Sequence, residues 1–197
     1  GINTYNREAF NNSAIGRLPF VNGVKCINGM VFDVDTECDN VVFPDEDEDL
    51  HTIANHLPFE KIKQITVHRG STVQLLYRCN TLPKAINICG NLGESVCQTK
   101  EEMASRLTID SIAELCDREG VENINIFDDS KTYKSIDSIV YSYDGKRLLK
   151  CPRGKTGHVT IPKGTEIIAA NAFKHCHIDS VSFPSTLIQL ENDAFAS

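Results

Sequence analysis

The chain has 197 residues, 41% of them apolar and 24% charged, with a net charge of −7. That length is enough to bury a full core, as one domain or as one run of repeats. The acidic balance argues against a nucleic-acid surface, since phosphate binding draws on clustered Lys and Arg, and no stretch approaches the roughly 20 apolar residues of a membrane-spanning helix.

Taken in chain order, the predicted elements begin with a hairpin segment over residues 26–35 that runs into the strand Val41-Val42-Phe43, ended by Pro44. The acidic run at 45–49 contains no glycine. Calcium loops interleave their oxygen ligands with a glycine for the turn, so this run reads as a solvated loop. Ile65-Thr66-Val67 and Ile86-Asn87-Ile88 are apolar–polar–apolar strands, each pointing two side chains inward and the middle one outward. Gly90-Asn91-Leu92-Gly93 lacks the Gly-Lys-Ser/Thr ending of a phosphate loop and the third glycine of a dinucleotide fingerprint, and reads as a turn. A helical insertion follows. Thr99-Lys100-Glu101-Glu102 is a capping-box pattern leading into 103–107, and a second helix is expected over 111–119, with Ile112, Leu115 and Cys116 on one face and Gly120 as its stop. Ile124-Asn125-Ile126 is another strand, and 135–143 with 147–151 reads as a β-hairpin around Asp144-Gly145.

The last part of the chain repeats. Val159-Thr160-Ile161-Pro162 is followed by Ala172-Phe173, and Val181-Ser182-Phe183-Pro184 by Ala194-Phe195. Both elements move by the same offset, from Val159 to Val181 and from Ala172 to Ala194. This is the pattern of a coil: a short strand, a proline that stops it, and a small residue beside a large one that drops into the core. One coil cannot bury its own apolar face, so it must stack on neighbours. The strands start at Val41, Ile65, Ile86, Ile124, Val159 and Val181. Three of these intervals are close to one repeat, and the two long ones, on either side of Ile124, each carry an insertion. The segment 26–35 also aligns without a gap on 135–144, so the hairpin occurs twice.

Stacking in register puts the middle residues of the strands in one exposed column. It starts at Val42 and continues through Thr66, Asn87, Asn125, Thr160 and Ser182, the last five being the expected binding residues. No other constellation carries chemistry. The eight cysteines include no Cys-x-x-Cys pair, which argues against structural zinc; most are expected to be buried thiols. In His175-Cys176-His177 three consecutive side chains cannot all face one ion, and the reading is a packed cysteine between two surface histidines. Neither Gly-x-Ser-x-Gly nor His-Glu-x-x-His is present, so no catalytic residue, metal or cofactor is assigned.

Residues 135–183 resemble the BspA-type leucine-rich repeats of bacterial cell surfaces and some protists. The resemblance rests on the hairpin at 136–148, Val159 to Ile168, Ala172 to Cys176 and Val181 to Pro184. Glu8-Ala9-Phe10 with 15–19 resembles a degenerate repeat; 68–134 departs from the pattern. The resemblance implies an α/β right-handed leucine-rich-repeat solenoid of short parallel strands, with β-hairpin and helical insertions. It divides into 1–67 (degenerate repeats with a hairpin), 68–134 (divergent repeats with the helical insertion) and 135–197 (hairpin and BspA-type repeats). It further implies a non-enzymatic, surface-exposed or secreted adhesion or ligand-binding module with a protein or glycan partner, and neither nucleic acid nor membrane insertion. The start Gly1-Ile2-Asn3 carries no signal peptide and reads as a processed terminus or a cloning scar. A structural spacer presenting another domain is the alternative, followed by an enzyme with its site in 68–134.

Overall fold

The computed structural model describes residues 13–14, 16–27, 30–44, 51–52, 57–68, 73, 76–77, 79–89, 108–127 and 132–196. The expected first helix, the acidic run 45–49, Gly90 to Gly93 and Cys97 lie outside the described residues.

β1 (Val24–Ile27) and β2 (Met30–Val34) form an antiparallel hairpin, followed by β3 (Asn40–Val42) and by β4 (His51–Thr52), which pairs in parallel with β2. β5 (Gln64–Val67), β6 (Ala85–Ile88) and β7 (Asn123–Ile126) then stack in parallel behind β3, in the order β3-β5-β6-β7. Val41, Ile65, Ile86 and Ile124 lie in register across this sheet, all fully buried. They are β-branched residues at the inward position of a period-2 pattern, the arrangement that suits a pleated, buried surface. Each strand is thus the sequence-predicted one to within a residue or two.

The helix α1 (Ile109–Cys116) lies in the insertion between β6 and β7. Thr108 caps it, its hydroxyl accepting from the Ser111 amide at 3.1 Å. Ile112, Leu115 and Cys116 are the buried face, as the spacing predicts, and they pack into the core under the first sheet.

β8 (Tyr133–Ile136), β9 (Ile139–Ser142) and β10 (Arg147–Lys150) form an antiparallel meander. Here the sequence reading needs correction: 135–143 is two strands rather than one. Asp137 and Ser138 take φ of +50° and +61° and turn the chain between them. A two-residue turn with both φ positive suits the twist of a hairpin, and glycine or asparagine normally marks it; neither is present here.

Two further coils complete the chain. β11 (Thr156–Thr160) pairs in parallel with β13 (His177–Ser182), and β12 (Ile167–Ile168) with both β10 and β14 (Gln189–Leu190). The strand pairs therefore recur at the same offset as the sequence elements, Val159 opposite Val181 and Ile168 opposite Leu190. The fold is a solenoid of stacked parallel strands interrupted by hairpins and by the helix α1.

The described interior divides into two apolar clusters, and β9 is the wall between them. Val140 belongs to the first cluster, while its neighbours Ile139 and Tyr141 belong to the second. Alternate side chains of a strand face opposite sides, so one strand serves both cores. The return from β10 to β11 closes the joint: Arg153 and Gly154 donate their amides to the carbonyls of Cys116 and Val121, at 2.8 and 2.9 Å. A Cβ on Gly154 would lie 2.7 Å from the Val121 carbonyl oxygen. Gly154→Ala should therefore lower the unfolding free energy by about 1–3 kcal/mol, the usual cost of overpacking. Chemical denaturation checks it; an unchanged midpoint would mean that the loop yields freely.

Candidate interaction surface

The expected column of middle residues exists in part, and it is put to a different use. Val42, Thr66, Asn87 and Asn125 are neighbours in register across β3, β5, β6 and β7. Their polar members do not stand free. Ser138 Oγ donates to Asn125 Oδ1 at 3.0 Å and Asn125 Nδ2 to Asn87 Oδ1 at 2.9 Å; Asn87 Nδ2 donates to Thr66 Oγ1 at 3.2 Å and Thr66 Oγ1 to Asn40 Oδ1 at 2.9 Å. All four bonds run the same way, from the later residue to the earlier one, so each polarises the next. Thr66 and Asn87 are only 8% and 6% exposed.

This corrects the reading of Thr66 and Asn87 as exposed contact residues. They are the inner rungs of a buried polar ladder, because a buried amide or hydroxyl has to find a partner and the parallel register supplies one every coil. Asn125 is half-buried, with both ends of its amide engaged.

The column does not continue to Thr160. The meander of β8 and β9 intervenes: Ser138 caps the ladder, and Ser135 Oγ donates to the Ile124 carbonyl at 2.7 Å and accepts from the Ile126 amide at 3.0 Å, sealing the edge of β7. Thr160 and Ser182 are in register with each other on the separate sheet of β11 and β13.

On that second sheet the outer face is open. Thr156, His158 and Thr160 of β11 and His177, Ser180 and Ser182 of β13 are all exposed. His158 sits between two hydroxyls, with Nδ1 2.7 Å from Ser180 Oγ and Nε2 3.0 Å from Ser182 Oγ. A nucleophile–base pair needs a third group, usually a carboxylate, on the second ring nitrogen. Here both nitrogens face serines, so the arrangement organises a surface and lacks the orienting acid of a hydrolase. Sequence reasoning missed His158 and Ser180. The signal was their equivalent place, two residues before Thr160 and Ser182.

Beside this polar face lies an apolar one. Phe183 and Leu190 are half-exposed, as is Phe195 at 42%, and Ile188 is more so. The rings of Phe173 and Phe195 stack with centroids 4.7 Å apart, and Phe183 meets Phe195 edge-on at 6.0 Å. Phe183, Leu190 and Phe195 lie one repeat after Ile161, Ile168 and Phe173, which are buried. At the other end, Leu18, Pro19, Val21, Val24, Val42 and Pro44 line a shallow groove of about 290 Å³.

Of the seven described cysteines, Cys79, Cys116 and Cys151 are buried and the others half-buried, and no disulfide joins any of them. Burial pushes the Cys79 thiol up to about 12. His175 and His177 are exposed on either side of the half-buried Cys176, as read from the sequence. Among the described residues no group of three or more His, Cys, Asp or Glu is placed to hold a metal ion, and no helix is long and apolar enough to cross a membrane.

Residues 151–197 match the protein family described as "BspA type Leucine rich repeat region (6 copies)", the family whose pattern the sequence resembles. No curated protein matches the chain. Among solved structures, a leucine-rich repeat protein from Eubacterium ventriosum aligns at 13% identity over 85% of this chain and 59% of that one, with a TM-score of 0.39. The chain thus spans less than two thirds of that protein's length.

Proposed function

We propose that this chain, whose residues 151–197 match the BspA-type leucine-rich repeat region, is a non-enzymatic binding module that is secreted or displayed on a cell surface for adhesion. The observation that carries the reading is the open outer face of β11 and β13, where His158, Thr160, Ser180 and Ser182 present hydrogen-bonding side chains on two strands paired in parallel. Repeat arrays use such faces for extended contact, and the flat surface does not suit a small molecule, which needs a concave apolar lining. Of the two partner classes, protein and glycan, protein is favoured. Phe183 follows Ser182 directly and Phe195 meets the Phe183 ring edge-on, and protein interfaces are enriched in aromatic side chains.

The test is capture of partners from host or matrix material by the immobilised chain, beside a Thr160→Glu/Ser182→Glu variant. The double variant should lose the captured partner and unfold within about 1 kcal/mol of the parent, as for exposed positions. Full retention of the partner removes this face as the site. Retention that disappears on deglycosylating the material makes the partner a glycan.

A further inference from the structure

The joint between the two cores contains three thiols that the binding surface does not use. Cys116 ends α1, Cys151 follows β10, and Cys176 precedes β13 one coil later. We propose that Cys151 and Cys176 are a redox-active pair that closes to a disulfide and staples one coil of the solenoid to the next.

Geometry carries the inference. Cys176 Sγ lies 3.4 Å from the Cys151 carbonyl oxygen and 3.6 Å from that of Pro152, and Cys151 Sγ lies 3.7 Å from the same Pro152 oxygen. Stacking fixes this approach, since the Cys151 amide donates to the Ala172 carbonyl at 2.8 Å and the Cys176 amide to the Phe173 carbonyl at 3.1 Å.

The surroundings divide the roles. Reactive cysteines are partly exposed and sit near positive charge, whereas inert ones are buried in apolar surroundings. Cys176 is half-buried and Cys151 fully buried. The nearby cation is Lys150, almost fully buried, whose ammonium pairs with Asp117 at 2.6 Å and donates to the Asn171 carbonyl at 3.1 Å. The neighbouring Cys151 thiol and the charge of Lys150 hold the Cys176 thiol below its ordinary value, while the Cys176 thiol and burial push Cys151 up. Cys176 is therefore the attacking thiol and Cys151 the resolving one. Cys116 is fully buried, and burial raises it.

The oxidant is a small disulfide of the glutathione class. The Cys176 thiolate attacks one of its sulfurs, the S–S bond breaks, and one small thiolate leaves and takes up a proton. Cys151 then loses its proton to solvent and attacks the Cys176 sulfur of the mixed disulfide, expelling the second small thiol. Two protein thiols are oxidised and one small disulfide is reduced to two thiols. The new bond spans one turn of the solenoid, from Cys151 to Cys176, and holds adjacent coils together.

The test uses the folded wild-type chain, incubated with glutathione disulfide, alkylated, digested and mapped by mass spectrometry. The expected product is a peptide pair joined through Cys151 and Cys176, with Cys116 alkylated only after unfolding. The thermal midpoint should rise by about 5 °C or more over the reduced chain. Cys116→Ser should keep the link, and Cys151→Ser should stop at a glutathione adduct on Cys176. A stable adduct on wild-type Cys176 with Cys151 still free, a link through Cys116, or no modification of either residue would each overturn the proposal.

Discussion

Phe173→Ala is expected to lower the unfolding free energy by about 3–5 kcal/mol, the range for truncating a buried aromatic side chain. Phe173 is 3% exposed and belongs to the second core, with its ring stacked on Phe195 from the following coil. The repeat supplies an internal control. Phe195 occupies the same place one coil later, yet much of its ring faces solvent. Phe195→Ala should cost far less, about 1 kcal/mol, because the area removed from water is smaller. Denaturant titration of both variants checks the pair. Equal losses would mean that position in the array does not govern what a repeat residue contributes.

Asn87→Asp is expected to cost about 3–5 kcal/mol at neutral pH, the range for leaving a buried charge uncompensated. Asn87 holds the middle of the ladder, donating to Thr66 and accepting from Asn125. A carboxylate can accept but cannot donate, so Thr66 either loses its link to residue 87 or turns its one hydroxyl proton away from Asn40, while the charge remains buried. Burial raises the folded-state pKa of the introduced carboxyl above its unfolded value near 4. The neutral form is then favoured in the folded chain. The deficit should be largest above the folded pKa and shrink as the pH falls towards 4. Asn87→Ala, which leaves no charge, should cost about 1–3 kcal/mol through the partners it orphans, at any pH. Thr160→Glu, on the open sheet, should change stability by no more than about 0.5 kcal/mol. A loss at Asn87 as small as that at Thr160 would mean the ladder is cosmetic.

The strands and the coil repeat were legible because burial writes itself into the sequence. Ile65, Ile86 and Ile124 alternate with polar residues, and the elements at Val159 and Val181 share one offset. The helix was legible from Ile112, Leu115 and Cys116. The turn at Asp137-Ser138 was not, since the left-handed backbone is held there by the pairing of β8 with β9 and no glycine announces it. Strands as short as β12 and β14, two residues each, give no period to detect.

The column shows the limit of the period-2 argument most clearly. It placed Thr66, Asn87 and Asn125 correctly in register but could not say whether an outward position meets water. A Thr or Asn repeated at every rung serves equally as a solvated residue or as a link to the next coil. Nor could spacing say that the long interval before Val159 holds a meander that ends one sheet before another starts. Asn40 and Ser138, the two ends of the ladder, lie outside the three-residue strand pattern altogether. The open face of β11 and β13 was legible only in half, through Thr160 and Ser182.

The shared wall at β9 bears on the order in which the chain comes apart. A coil with one neighbour loses one interface when it detaches, and an inner coil loses two, so opening proceeds inward from exposed edges. Either stack can lose its outer coils without disturbing the other, until the β10–β11 return and β9 are reached. Once β9 itself leaves, Val140 is withdrawn from one core and Ile139 and Tyr141 from the other, and both collapse in the same event. The backbone protons slowest to exchange with deuterated water should therefore belong to β9, near one end of each stack, and not to the strands at the middle of either. Those of β13 should be among the first to go.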